Sequence, residues 1–126
     1  MTKRQKLIVF LESKQFIVFS ILFGSQVKGY ADKRSDWDIA VYFSEWPLKK
    51  VDWPIFELEA ELSRVLGANV QIMALNTIPP PVLGFQIINE GQVLTDKQED
   101  KRLEVTAAIL RQYHDWQYYQ NRHMRR

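Results

Sequence analysis

Residues 16–43 read FIVFSILFGSQVKGYADKRSDWDIAVYF, and this stretch decides the fold of the chain. Each end is an apolar run whose β-branched and aromatic residues are typical of buried strands. Between the two runs lie a Gly-Ser step at 24–25 and two carboxylates, Asp36 and Asp38, which are separated by one residue. The pattern predicts two strands that meet at a small polar, hairpin-like turn.

The two aspartates are expected on one face of the second strand, with Trp37 on the other, because successive side chains alternate. Two carboxylates so close repel each other unless a cation lies between them. Mg²⁺ suits this position, since it takes oxygen ligands from one or two carboxylates and from substrate phosphates. Gly24 would let the backbone approach a phosphate, and Ser25 would offer a hydroxyl and N–H groups. The stretch therefore predicts a site for a metal-bound nucleoside triphosphate.

The Gly-Ser step, ten intervening residues and Asp36-Trp37-Asp38 resemble the signature of the DNA polymerase beta-like nucleotidyltransferases. The short chain is similar to their minimal nucleotidyltransferase (MNT) branch, and the likeness continues through 76–80 and 90–94. The resemblance implies an α/β (α+β) nucleotidyltransferase fold, with a small mixed sheet of three to four strands flanked by helices and a long C-terminal helix. The alternative is a surface hairpin whose Asp and Ser residues only form turns.

The resemblance also implies the roles of individual residues, with Mg²⁺ and ATP as cofactor and substrate. Basic side chains after the first strand would help to hold the triphosphate, Arg through a fork of donors and Lys as a point charge. The predicted catalytic residues are Ser25, Asp36 and Asp38, the metal ligands are Asp36 and Asp38, and the nucleotide-binding residues are Gly24, Ser25, Lys28, Arg34 and Ser35.

The third strand departs from the family pattern. Relatives generally carry a further carboxylate there, in a pattern similar to Val-Asp-Leu-Val-Asp-Leu-Asn, whereas residues 70–76 read VQIMALN and have Gln71 and Ala74 at the acidic positions. A third acid helps to hold a second metal and to deprotonate the acceptor hydroxyl. Gln71 can offer a carbonyl oxygen but cannot act as a general base. We therefore expect a competent nucleotide site with slow chemistry, unless a partner supplies the missing group.

MNT proteins are commonly encoded beside a small helical HEPN protein, and such pairs are toxin–antitoxin systems. The resemblance implies an antitoxin of a type VII-like pair, which moves AMP from ATP onto a tyrosine of the HEPN RNase toxin. One alternative is a weak or inactive enzyme that neutralises its partner by stoichiometric binding, and another is transfer to a small molecule. A hetero-oligomer with the toxin is expected, without a membrane or direct nucleic-acid partner.

Composition limits the remaining possibilities. The 126 residues are expected to form one domain, 1–126. The chain contains 46% hydrophobic and 25% charged residues, a composition that is ordinary for a globular protein. The net charge of +2 is too small to argue for nucleic acid. The longest apolar run is far shorter than the roughly 20 residues that span a bilayer. The absence of cysteine excludes disulfides and suits a reducing cytoplasm.

Other elements follow from periodicity and capping residues. Thr2 can cap a first helix that buries Leu7 and Leu11, and a second helix from Ile55 has three glutamates (57, 59 and 61) on an expected solvated face. A strand is predicted at 69–75 and a short helical turn at 82–89. Gly91 is expected in a turn that demands a positive φ.

The C-terminal segment is predicted to form one long helix from Asp96 or Lys97 to about Arg122, capped by Asp96. Its expected apolar stripe is Leu103, Ala107 and Leu110. Residues 113–119, YHDWQYY, are unusually aromatic, and two interpretations stay open: a protein interface, or packing on the chain's own sheet.

Overall fold

The computed structural model describes residues 1–29, 35–47 and 54–123. Its elements are, in chain order, α1 (Lys3–Ser13), β1 (Ile17–Phe23), α2 (Ser25–Lys28), β2 (Trp37–Phe43), α3 (Pro54–Leu66), β3 (Val70–Ala74), α4 (Pro81–Glu90), β4 (Gln92–Asp96) and α5 (Glu99–His123). The sheet has the order β3-β2-β1-β4; β1 is antiparallel to β2 and β4, and β2 is parallel to β3. This confirms the expected α+β fold with a small mixed sheet and a long C-terminal helix.

Helices cover both faces of the sheet. On one face Val41 of β2 belongs to a core shared with α1 and α3, and on the other Ala40 belongs to a core shared with α4 and α5. β1 is buried on both faces from Ile17 to Leu22, as predicted. Asp36 and Asp38 are in phase with Ala40, so alternation places their side chains on the α4 and α5 face.

The predictions for α1 and α3 were partly right. Thr2 caps α1 in a capping box with Gln5, and Leu7 and Leu11 are buried. The solvated face expected for the three glutamates was wrong at two positions. Glu59 accepts the backbone N–H of Ile72 on the edge strand β3 at 2.8 Å, and Glu61 pairs with Lys14 at 3.4 Å.

The segment after β3 is more regular than expected. The predicted turn is a ten-residue helix, α4, that begins at Pro81 and packs Gly84 against Ile109 of α5. The positive φ expected at Gly91 was wrong, because its φ is −69°. Glycine is required there for a different reason: a Cβ would collide with the carbonyl oxygen of Ile87 and the side chain of Ile21.

Two predictions for α5 were wrong. Asp96 ends β4, and its carboxylate accepts a hydrogen bond from Nε of Arg102 at 2.7 Å instead of capping the helix. The expected stripe faces solvent at Leu103, which is 50% exposed, whereas Ile109 is buried and Val105 packs beside it. The rotation of α5 is set by its close contact with α4. Among the described helices, none combines the length and apolarity needed to cross a bilayer.

Candidate active site

The site begins where β1 ends and the chain turns sharply into α2. Gly24 has φ 80° and ψ −153°, a backbone conformation that is essentially restricted to glycine. Its carbonyl accepts the N–H groups of Val27 at 3.1 Å and Lys28 at 3.3 Å, which closes the turn. The first N–H groups of such a turn, those of Ser25 and Gln26, have no partner within the helix. They can therefore serve an anionic ligand.

Asp38 faces this turn from the neighbouring strand. Phe23 is its pairing partner across the antiparallel β1–β2 ladder, and Gly24 packs against its carboxylate. Asp38 is half-buried. Burial raises the pKa of Asp38 above its ordinary value, and the negative charge of Asp36 adds to that rise. The structure thus brings Gly24, Ser25, Asp36 and Asp38 to one end of the β1–β2 pair.

The donor set at this place fits a hard divalent cation. Asp36 and Asp38 are two residues apart on one strand face and together present four carboxylate oxygens, the ligand type that Mg²⁺ prefers. A cation between them would offset the burial and the repulsion from Asp36 that together raise the pKa of Asp38. In the part of the chain that the structure describes, no group of three or more His, Cys, Asp or Glu side chains is placed to hold a metal.

Two amide side chains, Gln71 on β3 and Asn69 just before it, lie beside the aspartates. Gln71 is the pairing partner of Asp38 in the parallel β2–β3 ladder, which places it beside the aspartates. Its Nε2 donates to Oδ2 of Asp36 at 3.4 Å, and Nδ2 of Asn69 donates to Oδ1 of Asp36 at 3.0 Å. Ala74 packs with the core on the opposite face, so only one of the two acidic positions bears on the site.

Asn69 is the residue of this cluster that sequence reasoning missed. It precedes β3 and is exposed. The available signal was its spacing of two from Gln71, which predicts the same strand face once the register with β2 is known. Beside these amides lies an open cleft of about 250 Å³, lined by Phe23, Asp38, Gln71, Ile72 and Met73.

The remaining predicted nucleotide-binding residues lie around the turn. Lys28 at the end of α2 pairs with Glu90 of α4, with Nζ and Oε2 3.3 Å apart. The backbone carbonyl of Ser35 accepts Nε2 of Gln26 at 3.2 Å, which ties the start of β2 to the turn. Arg34 lies outside the described residues. For Lys28 and Ser35, contact with a nucleotide stays a prediction.

Comparison with known proteins adds a family and a fold. The family model for the polymerase beta nucleotidyltransferase domain matches residues 5–100. No curated protein matches the sequence.

Several solved structures are similar over nearly the whole chain. A chain in the crystal structure of a toxin–antitoxin complex with AMP-PNP is 25% identical with a TM-score of 0.76, and the match covers 94% of this chain and 92% of that one. A chain in an MntA–HpeT complex that carries two Asp-to-Glu mutations is 23% identical, with a TM-score of 0.74 and coverage of 94% and 92%.

A third match belongs to a structure of a tri-AMPylated Shewanella oneidensis HEPN toxin in complex with an MNT antitoxin. It is 23% identical with a TM-score of 0.70, and covers 94% of this chain and 90% of that one. At this level of identity, the likeness shows a shared fold.

Proposed function

This chain belongs to the polymerase beta nucleotidyltransferase family, and from that premise we propose that it is an antitoxin that adenylylates a HEPN-type toxin. It would move AMP from ATP onto a tyrosine hydroxyl of that partner, in the cytoplasm and as a single domain. The solved structures similar to this chain include toxin–antitoxin complexes, one with AMP-PNP and one with an AMPylated HEPN toxin.

The observation that carries the proposal is the placement of Asp36 and Asp38 on one strand face against the Gly24 turn. The pair offers a cation site, and the turn offers N–H groups to the phosphates of the same nucleotide.

The reaction would be an in-line displacement at the α-phosphorus of ATP. The tyrosine oxygen forms a bond to that phosphorus, the bond from phosphorus to the α,β-bridging oxygen breaks, and pyrophosphate leaves with the bonding electrons. The hydroxyl proton passes to water or to a base of the partner. Mg²⁺, when bound by Asp36 and Asp38, would stabilise negative charge on the phosphates.

The chain's own residues would bind and orient the substrate. The N–H groups at the start of α2 and the Ser25 hydroxyl would hold phosphate oxygens. To contact the triphosphate, Lys28 would have to break its ion pair with Glu90. The free-energy cost is small, because an exposed ion pair is worth about 1 kcal/mol or less. Gln71 cannot take the tyrosine proton, so the chain relies on water or the partner for that step.

The experiment is to incubate the chain with isotopically labelled ATP, Mg²⁺ and the helical protein encoded beside it, and to follow AMP addition to that protein by intact mass. We expect an added AMP on a tyrosine, lost in Asp36→Asn and in Asp38→Asn. Asp100→Asn, at an exposed position in the first turn of α5 and outside residues 113–119, is the matched control and should keep full activity. An unlabelled partner with wild-type chain would overturn the proposal.

A second function is favoured by one observation, the amide at the position of the third acid. Without that acid the chain could neutralise its partner by stoichiometric binding on a nucleotidyltransferase scaffold. The double variant Asp36→Asn/Asp38→Asn separates the two functions. A binding module would still neutralise the toxin fully at a one-to-one ratio, whereas an enzyme would lose neutralisation together with the AMP label.

A further inference from the structure

We propose that Asn69 and Gln71 are positioning residues that hold the carboxylate of Asp36 in its metal-binding orientation. The inference rests on the proposed function, because it gives the two amides a role toward the cation of that site. It also explains how a chain without the third acid keeps an ordered pair of carboxylates.

The backbone places both amides beside Asp36. The N–H of Trp37 donates to the carbonyl of Asn69 at 2.9 Å, and the ladder continues with Trp37 opposite Val70 and Asp38 opposite Gln71. Alternation then puts positions 69 and 71 on the same face as the aspartates. Gln71 is therefore part of the β2–β3 pairing, and Asn69 is fixed to the start of β2 through its backbone carbonyl.

Each amide takes a different oxygen of the same carboxylate. Asn69 donates to Oδ1 at 3.0 Å and Gln71 to Oδ2 at 3.4 Å. Two donors on two oxygens restrict rotation of the carboxylate plane. Each ionised oxygen has two lone pairs, so one per oxygen remains for a cation after the amide bonds are made.

The amide of Gln71 can donate a hydrogen bond to Asp36, which an ionised carboxylate at the same position could not do. The amide N–H groups donate hydrogen bonds to the Asp36 carboxylate, whereas another carboxylate at position 71 would add repulsion to the Asp36–Asp38 pair. Removing a hydrogen bond to a metal ligand typically lowers metal affinity by 10- to 100-fold. We expect the upper part of that range for Asn69, whose hydrogen bond is shorter, and the lower part for Gln71.

The test measures Mn²⁺ binding to the full chain by electron paramagnetic resonance of the free ion, without nucleotide or partner. The variants are Asn69→Ala, Gln71→Met, which keeps the side-chain length but has no donor, and the two combined. Gln86→Ala removes an exposed amide from α4 and is the matched control. Thermal unfolding of each variant without metal reports whether the fold itself has changed.

The proposal predicts weaker Mn²⁺ binding by about 10- to 100-fold in each single variant, with unchanged unfolding temperature and an unchanged control. The double variant should lose less than the product of the single losses, because both amides hold one carboxylate. Unchanged Mn²⁺ affinity in Gln71→Met and Asn69→Ala would overturn the positioning role while leaving the proposed function standing. A wild-type chain that binds no Mn²⁺ would overturn the positioning role as well, and AMP transfer to the partner would still decide the proposed function. If Asn69→Ala unfolds, Gln71→Met alone decides.

Discussion

Gly24 lies directly against the carboxylate of Asp38: a Cβ built on Gly24 would lie 2.5 Å from Oδ2 of Asp38. The same glycine has φ 80° and ψ −153°. Gly24, which begins the turn proposed to bind phosphate, therefore also limits the position of the predicted metal ligand Asp38. One methyl group is enough to disturb both.

Gly24→Ala should cost about 1–3 kcal/mol of stability because the backbone conformation is strained for alanine. It should also weaken Mn²⁺ binding and AMP transfer at least about tenfold, since the methyl group displaces Asp38 from a geometry that tolerates little error. Urea unfolding and Mn²⁺ titration measure the two effects separately.

The control for this prediction is Gly29→Ala. Gly29 also has a positive φ, 83°, but among the residues that the structure describes no atom lies within 4 Å of a Cβ built there. It should lose stability, by about 1 kcal/mol, and keep its Mn²⁺ affinity. Equal loss of Mn²⁺ affinity in both variants would show that strain in the turn, and not contact with Asp38, controls the metal site.

The raised pKa of Asp38 predicts a specific pH dependence of stability. Burial and the charge of Asp36 raise this pKa above 3.8, so the folded chain holds more protons than the unfolded chain between pH 3.8 and the raised value. Stability therefore falls as pH rises through that window, and the ionised group costs stability above it. Asp38→Asn removes that cost.

We expect Asp38→Asn to unfold at a higher temperature than wild type at pH 7 without metal, with a difference that shrinks as the pH falls toward 3.8. Thermal unfolding by circular dichroism across this range measures it. Mg²⁺ should raise the unfolding temperature of wild type but not of the variant. A variant less stable than wild type at pH 7 would contradict the burial argument.

Much of the site was predictable from the sequence, because it depends on local patterns. The apolar runs predict β1 and β2, and alternation places Asp36 and Asp38 on one face without knowledge of the rest of the fold. Gln71 could be assigned from the family pattern, and the pairing register places it beside Asp38. The placement of the two aspartates on one face needed only the period of a strand.

The features that sequence patterns missed or predicted wrongly depend on contacts between segments that are distant in the chain. Asn69 lies two residues before Gln71, but this spacing indicates a role for an exposed amide only once the register with β2 is known. The sequence of α5 contains two sets of apolar residues that could face the core, one with Leu103 and one with Ile109. The contact of Ile109 with Gly84 of α4 buries the second set and leaves Leu103 exposed. At Gly91, sequence alone cannot distinguish a positive φ from a close approach.

The aromatic end of α5 gives a prediction about stability. Tyr118 and Tyr119 are 63% and 58% exposed, so packing on the chain's own sheet is the wrong interpretation for these two, and the interface interpretation stays a prediction. Tyr118→Ala and Tyr119→Ala should change the free energy of unfolding by no more than about 0.5 kcal/mol. Tyr113 stacks on Phe85 with ring centroids 4.2 Å apart, and Tyr113→Ala should cost about 2 kcal/mol or more. Similar losses at all three positions, measured by urea unfolding, would contradict this division.

Gln71→Asp tests what limits the chemistry of the site. The register places position 71 beside Asp38, so a carboxylate there can act as the missing base, and general bases typically contribute 10²- to 10⁴-fold. We expect AMP transfer to the toxin to rise by about tenfold or more under single-turnover conditions with saturating Mg²⁺. Without metal the same variant should be less stable than wild type, because it exchanges an amide donor for a third negative charge.

Ala74→Asp is the matched control, since it fills the other acidic position of the family pattern on the opposite face of β3. Ala74 packs against the core between the sheet and α1 and α3, so the new carboxylate would be desolvated and remote from Asp36 and Asp38. It should destabilise the fold with or without Mg²⁺ and leave the transfer rate of the folded fraction unchanged. An increase in rate in Ala74→Asp, or no increase in Gln71→Asp, would contradict the role of position 71. Proton removal from the acceptor would then depend on a group outside β3, such as a base of the toxin.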